Sequence, residues 1–412
     1  MKFEDYNIHM NIKKGLEKLG FRRPTDIQFK SIPNIIKGED LLAVAQTGTG
    51  KTAAFAIPII NKVYQQKLRA RRKTGVKCLV LAPTHELADQ ICGVFTEIAK
   101  FTTLKITAVI GGVDQDPQIH ALNKGSDIVV ATPGRMFDLI SQGYLITHQI
   151  ETLVLDEADY MLDLGFIVDI KDLIRKLPKR RQTLFFSATI NDKIKKIAYS
   201  IVRQNAIRIQ ISPKDPVANK LEHYVLFIEM DHKRFFLERV RNENPDAKII
   251  VFVRTKVRAE RVMKAMGRVD IEAKTIHGDK TQEERTAILD SFRAGETMML
   301  IATDITARGI DIPDISIVIN YDLPLESENY VHRVGRTGRA NRKGYAYSFC
   351  APEEKQILDE IQGFLNKDIQ VIMVDKLEYK DTLNIAKDRT EDISALLDEI
   401  EEFEQRKKRK KK

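Results

Sequence analysis

Residues 45–52 read AQTGTGKT and stand between a short apolar run, LLAVA (41–45), and a helical stretch. A Gly-rich turn in that position brings backbone N–H groups up to phosphate oxygens, and the N-terminus of the following helix favours negative charge. Lys51 is a point charge for the outer phosphates, and the Thr52 hydroxyl suits Mg²⁺. The strict pattern opens with Gly where this chain has Ala45, and such a turn also forms without any ligand. A second motif, TLVLDEAD (152–159), ends an apolar run in Asp156 and Glu157. Two carboxylates then sit at the C-terminal end of a strand, where ligands bind in parallel sheets. Asp156 fits a Mg²⁺ shell, directly or through water, and Glu157 fits the orientation and deprotonation of an attacking water. The carboxylate pair alone is modest evidence; paired with a phosphate loop upstream it points to hydrolysis of a nucleoside triphosphate.

These residues need a parallel sheet to hold them. The first half carries the runs LLAVA (41–45), CLVLA (78–82), ITAVI (106–110), IVVA (128–131), TLVLD (152–156) and TLFFS (183–187). Short Val/Ile/Leu-rich runs bounded by Gly, Pro, Thr or Asp read as strands buried on both faces, and the stretches between them are long enough for crossover helices. The pattern repeats in YVLFI (224–228), IIVFV (249–253), AKTI (273–276), MMLIA (298–302), ISIVIN (315–320) and YAYSF (345–349). The expected architecture is α/β, with domains over 1–210 and 220–375, a linker at 211–219 and a charged tail over 376–412. In the tail Ile393, Leu396, Leu397, Ile400 and Phe403 fall at helical spacing behind Thr390.

Composition agrees with a folded, two-domain chain. Of 412 residues 43% are hydrophobic and 30% charged, which excludes wholesale disorder. No apolar run reaches about 18 residues and the opening MKFEDYNIHM has no hydrophobic signal core, so neither membrane insertion nor secretion is expected. Three cysteines (Cys78, Cys92, Cys350) without paired spacing exclude a disulfide framework and a structural zinc site and suggest a reducing, cytoplasmic setting. The net charge is +9. Residues 391–405 carry seven acids and 406–412 seven bases, so the excess belongs to residues 1–390 and fits a polyanionic partner.

The ordered motifs resemble the DEAD-box RNA helicases of superfamily 2. They are GFRRPTDIQ (20–28), AQTGTGKT, PTHELA (83–88), GG (111–112), TPGR (132–135), DEAD (156–159) and SAT (187–189). In the second half VFVRT (251–255), HGDKTQEER (277–285), ATDITARGID (302–311) and YVHRVGRTGR (330–339) follow in family order. The run as a whole is most similar to the bacterial RhlE-like subgroup. The resemblance implies two tandem RecA-like domains of the P-loop NTPase class. It also implies an RNA-dependent ATPase that locally unwinds or remodels RNA duplexes or RNA–protein complexes, with ATP and Mg²⁺.

Residue by residue, the resemblance implies an ATP set of Phe3 (stacking on the base), Gln28 (reading adenine), Ala45, Gln46, Thr47, Gly48, Thr49, Gly50, Lys51 and Thr52, with Gly309 and Asp311 on the ribose side. Mg²⁺ falls to Thr52 and Asp156, and catalysis to Lys51, Asp156, Glu157, Arg336, Arg339 and His332. The paired arginines match the family's arginine fingers, whose planar forks neutralise charge on the transferring phosphoryl group. Ser187 and Thr189 would couple nucleotide state to domain closure, or merely cap a strand end. RNA backbone contacts fall to Thr84, Gly112, Thr132 and Arg135, then to Arg254, Gly278, Gln282, Arg285 and Thr303. Such contacts read sugar and phosphate, so sequence selectivity is expected to be weak. Two positions depart from the family: His85 replaces the usual Arg, and Thr306 the usual Ala. Basic runs at 67–73 and 406–412 could extend RNA binding, though the first reads equally as a solvated loop. Ribosomal or RNA-decay assemblies are family-level partners. A DNA translocase is disfavoured by the DEAD motif together with Gln28, and an RNA clamp with incidental turnover stays open.

Overall fold

The computed structural model describes residues 2–45, 48–70, 75–189, 192–211, 221–307, 315–338 and 343–383. The chain forms two compact units that divide near residue 214. In the first, β1 (Leu41–Ala45), β2 (Cys78–Leu81), β3 (Ile106–Val109), β4 (Ile128–Ala131), β5 (Thr152–Leu155), β6 (Gln182–Ser187) and β7 (Ile207–Ile211) form one parallel sheet. Its order is β3-β4-β2-β5-β6-β1-β7. The second unit holds β8 (Leu221–Phe227), β9 (Ile249–Phe252), β10 (Lys274–Ile276), β11 (Met299–Ala302), β12 (Ile317–Asn320), β13 (Gly344–Cys350) and β14 (Gln370–Val371). These run parallel in the order β10-β11-β9-β12-β13-β8-β14, the same arrangement as in the first sheet. Each sheet is a doubly wound α/β layer of the RecA-like kind.

The central strands are buried along their whole length, which is why their sequences are continuous apolar runs. Alternate residues feed separate layers on the two faces of the first sheet. Ala43, Val80 and Val154 pack with Phe55, Phe95 and Phe186 on one side. Leu42, Leu79 and Leu153 pack with Met136, Met161 and Phe185 on the other. Two strands were not expected from sequence. β7 reads IRIQI with only Ile209 buried, and β14 is a two-residue edge strand with both residues exposed. Neither has the apolar continuity that marks an inner strand. Among the described residues no helix is long and apolar enough to cross a membrane. The three thiols are free, and burial pushes that of Cys78 up to about 12.

The second unit is braced by buried charge. Lys233 is fully buried, and its ammonium donates to Glu354 and to the Tyr321 carbonyl at 2.7 Å. Glu354 also accepts from Arg254, from Leu323 N–H at 3.2 Å and from Ala351 N–H at 3.1 Å. Burial pushes the Lys233 ammonium below its ordinary pKa, and Glu354 opposes that push. Glu354→Ala would leave a buried cation unpaired, which costs about 3–5 kcal/mol. In calorimetry of the full chain, that substitution should lower one unfolding transition by roughly 10 °C. Glu354→Gln, which still accepts hydrogen bonds, should lower it by less.

Candidate nucleotide and RNA site

Topology gathers the candidate residues on the C-terminal rim of each sheet and sorts them along it. In the first unit Lys51 follows β1, Asp156 follows β5 and Ser187 ends β6, so the nucleotide motifs share the half β5-β6-β1. Thr84 follows β2, Gly112 follows β3 and Thr132 follows β4, so the expected RNA residues share the other half. The second unit repeats the division. Arg254, Gly278 and Thr303 follow β9, β10 and β11, while His332 and Arg336 follow β12.

At the phosphate loop the helix Lys51–Arg69 begins at Gly50, whose φ of +92° lies in the left-handed region. A Cβ there would come within 2.4 Å of Gln28 Nε2, so glycine is required by backbone and by neighbour alike. Gln28 is buried. Its Oε1 accepts from Thr25 N–H at 3.0 Å, and its Nε2 donates to the Gly50 carbonyl at 3.1 Å. Thr25 Oγ1 donates to the Thr49 carbonyl at 2.8 Å. The family's adenine-selecting residue is thus also a brace for the phosphate loop. Its amide keeps one lone pair and one N–H, enough for a base edge. Gly48 is exposed and also left-handed (φ +81°). Gln46, Thr47, Gly309, Asp311 and Arg339 lie outside the described residues.

Lys51 is 6% exposed, and its Nζ is buried with no hydrogen-bond partner among the described residues. Beside it Asp156 is 2% exposed; burial pushes its carboxyl up to about 6, Lys51 opposes that shift and Glu157 adds to it. Glu157 is buried at φ 49°, ψ 48°, a left-handed conformation that costs a side-chain-bearing residue about 1–2 kcal/mol. Its N–H donates to Asp156 Oδ1 at 3.0 Å. One buried ammonium without an acceptor among the described residues and two crowded carboxylates form a site short of a polyanion and a cation. Mg²⁺ fits here. No cluster of three metal-binding side chains occurs among the described residues, and Mg²⁺ beside phosphates needs only one or two protein groups.

Asp159 completes the DEAD turn in a way the sequence did not disclose. Its Oδ2 accepts from Ala188 N–H (3.1 Å), Thr189 N–H (3.0 Å) and Thr189 Oγ1 (3.1 Å). Ser187 Oγ donates to the Thr189 carbonyl at 2.6 Å. The SAT segment is therefore bolted to the turn that carries Asp156 and Glu157.

The expectation for Phe3 is corrected. Phe3 is 4% exposed and packs edge-on against Phe21 and tilted against Tyr6, inside the core. Phe21, against which Phe3 packs, is half-buried and stands seven residues before Gln28.

Thr84 caps the helix His85–Ile98 by accepting from Leu87 N–H at 3.3 Å. Gly112 is exposed, Thr132 caps the helix Pro133–Ser141, and Arg135 donates to the Val113 carbonyl at 2.8 Å. His85 is half-buried beside Gly111. In the second unit Arg254 is tied to Glu354 and to the Leu323 carbonyl (3.1 Å). Thr303 Oγ1 meets Thr306 Oγ1 at 3.1 Å, and Thr306 Oγ1 donates to the Ile276 carbonyl at 2.9 Å, so the departure from Ala adds a bond between the short helix Asp304–Ala307 and the end of β10. Arg333, not singled out from sequence, is 1% exposed and forks onto Asp304 at 2.5 and 2.8 Å. Arg336 is 6% exposed, with Nε donating to the His332 carbonyl at 3.1 Å.

The DEAD/DEAH box helicase pattern matches residues 25–197, and the helicase conserved C-terminal domain matches residues 232–341. ATP-dependent RNA helicase CshA of Listeria monocytogenes is 40% identical over 369 residues, covering 90% of this chain and 70% of that protein. The chain belongs to the DEAD-box RNA helicases. ATP-dependent RNA helicase DbpA of Bacillus subtilis is 39% identical over 400 residues, 97% of this helicase and 81% of that one. Among solved structures, S. cerevisiae Dbp5 bound to RNA and ADP BeF3 is similar at a TM-score of 0.81 and 31% identity, covering 94% of this helicase and 99% of that chain. Mss116p bound to ssRNA and AMP-PNP is similar at 0.82 and 28%, covering 92% and 80%.

A carboxyl whose pKa is higher folded than unfolded binds its proton more tightly in the fold. The nucleotide-free helicase should therefore lose stability as pH rises from about 4 through about 6, by an amount near 3 kcal/mol for Asp156. Asp156→Asn keeps the acceptor for Glu157 N–H and removes the charge. In the absence of nucleotide it should melt higher than the parent at pH 7 and equally near pH 4, while ATP hydrolysis is lost.

Proposed function

We propose that this ATP-dependent RNA helicase binds the β- and γ-phosphates of ATP through Lys51 and the loop 45–52, and that the hydrolysis cycle at this site drives local opening of RNA duplexes. The observation that carries the reading is the buried Lys51 ammonium, without an acceptor among the described residues, set beside the crowded Asp156 and Glu157. Glu157 orients the attacking water and takes its proton. Mg²⁺, when bound, would be held by Thr52 and Asp156, partly through water, and would screen the phosphate charge. Gln28 reads the adenine edge while it braces Gly50, and Phe21 rather than Phe3 covers the base. Gly309 and Asp311 serve the ribose.

Arg336, held by His332, and Arg339 neutralise the charge that spreads over the transferring phosphoryl group. Ser187 and Thr189 report nucleotide state through Asp159. RNA is held by its backbone at Thr84, Gly112, Thr132, Arg135, Arg254, Gly278, Gln282, Arg285 and Thr303. The setting is cytoplasmic, with ribosomal or RNA-decay assemblies as the partners the family suggests. The relatives named above support the family, and the RhlE-like placement rests on sequence resemblance alone.

ATPase and strand-separation assays on matched RNA and DNA duplexes test this reading. RNA should stimulate hydrolysis and be unwound, and DNA should do neither to a comparable degree. Lys51→Ala should abolish turnover. Glu157→Gln should bind ATP and RNA yet lose at least a hundredfold in turnover. Substantial steady-state hydrolysis by the Glu157→Gln protein would remove the assignment of the base. Separately, Gln28 should make ATP the preferred nucleotide, because guanine reverses donor and acceptor at that edge; equal kcat/KM for GTP would exclude base reading by this residue.

A further inference from the structure

β10 runs into the loop 277–281, which opens the helix Gln282–Ala294. Gly278 in that loop is exposed, and nothing lies within 4 Å of where its Cβ would stand, so its backbone faces open space. The loop is tied down from behind by the helix Lys256–Gly267. Glu260 Oε1 on that helix accepts from Thr275 Oγ1 at 2.7 Å and from His277 Nε2 at 2.8 Å, and Lys280 Nζ lies 3.6 Å from it. Lys256, one turn earlier, pairs with Asp279 at 2.7 Å. His277 is 6% exposed, and its Nδ1 is buried without a hydrogen-bond partner among the described residues. The polar orientation of this ring rests on Glu260. Hydrogen bonds from His277 first and Thr275 next hold the Glu260 carboxyl below the usual carboxylate range, so it is ionised at neutral pH.

We propose that Glu260 is a positioning residue for RNA binding: through His277 it fixes the Gly278 turn and the start of the helix Gln282–Ala294 in the conformation that receives an RNA phosphate. This rests on the reading of Gly278, Gln282 and Arg285 as RNA backbone contacts. A helix N-terminus is suited to phosphate only if its first turn is held in place. Here Thr281 Oγ1 accepts from Glu284 N–H at 3.2 Å and Glu284 accepts from Thr281 N–H at 2.7 Å, which fixes the helix start but not its place on the sheet. Glu260 and Lys256 supply that second constraint. Their helix begins directly after Arg254 and Thr255, the segment that follows β9. The loops after β9 and β10, which flank β11, are thereby held in one register.

The test is RNA-stimulated ATPase of the full chain, with half-saturating RNA, kcat and the KM for ATP measured separately and each variant's melting followed. Glu260→Ala should raise half-saturating RNA roughly tenfold, the effect of one lost charge-assisted hydrogen bond, with kcat at saturating RNA and the KM for ATP within about twofold. Glu260→Gln, which still accepts from Thr275 and His277, should recover most of the loss. His277→Phe keeps a buried ring but cannot bond to Glu260, and should reproduce the tenfold shift even if Glu260→Ala does not fold. Unchanged half-saturating RNA in His277→Phe, or a loss confined to kcat, would overturn the proposal. Arg285→Ala separates the two levels. If it too leaves RNA binding intact, the RNA reading of this loop fails; if it weakens binding while His277→Phe does not, only the positioning role of Glu260 fails.

Discussion

A buried ammonium with no acceptor is unstable unless something else completes it, and among the described residues Lys51 is in that position. Its surroundings do not supply the missing charge in full. Asp156 is beside it, but burial and Glu157 raise that carboxyl toward protonation. Glu157 is further held in a left-handed backbone conformation. Among the described residues the fold thus carries unsatisfied charge and backbone strain at one point on the rim, and the ligand we propose there, a polyphosphate, supplies the missing counter-charge. Stability and function oppose each other here, as the expected stabilisation by an uncharged residue at 156 expresses.

Within each unit a framework of hydrogen bonds holds the rim residues in place. Gln28 and Thr25 hold the phosphate loop by its Gly50 and Thr49 carbonyls, so the side chain proposed to read the base also sets the loop geometry. Asp159 holds the SAT segment, so a change at the carboxylates has a direct mechanical path to β6. In the second unit Arg333 bridges Asp304, which adjoins Thr303, to the helix that carries His332 and leads to Arg336. The Lys233–Glu354–Arg254 network and the Glu260–His277 pair fix the loops on the other half of that rim. Identical strand order in the two sheets explains why one division of labour along the rim appears twice.

Twelve of the fourteen strands were legible as apolar runs, because an inner parallel strand must be apolar on both faces. β7 and β14 escaped because edge strands are exposed and need no such run. The placement of Lys51, Asp156 and Glu157 on one sheet rim was legible from residue type and spacing, since each motif directly follows an apolar run that reads as an inner strand. Phe3 was misread because sequence distance from a motif cannot say which of two aromatics is covered; Phe21 lies across its edge. The bonds Glu260–His277, Gln28–Gly50, Asp159–Ala188, Arg333–Asp304 and Glu354–Lys233 join residues 17–121 positions apart. No local pattern encodes such pairings; they follow only once the strand order is known.

The central claim is that phosphate, rather than the base, supplies what the rim around Lys51 lacks. Thermal unfolding of the full chain with excess Mg²⁺ and either ADP or adenosine tests it most directly. ADP should raise the melting temperature by several degrees while adenosine at the same concentration leaves it nearly unchanged, and Lys51→Met should abolish the ADP effect. Equal stabilisation by adenosine, or an ADP shift that survives Lys51→Met, would contradict the account.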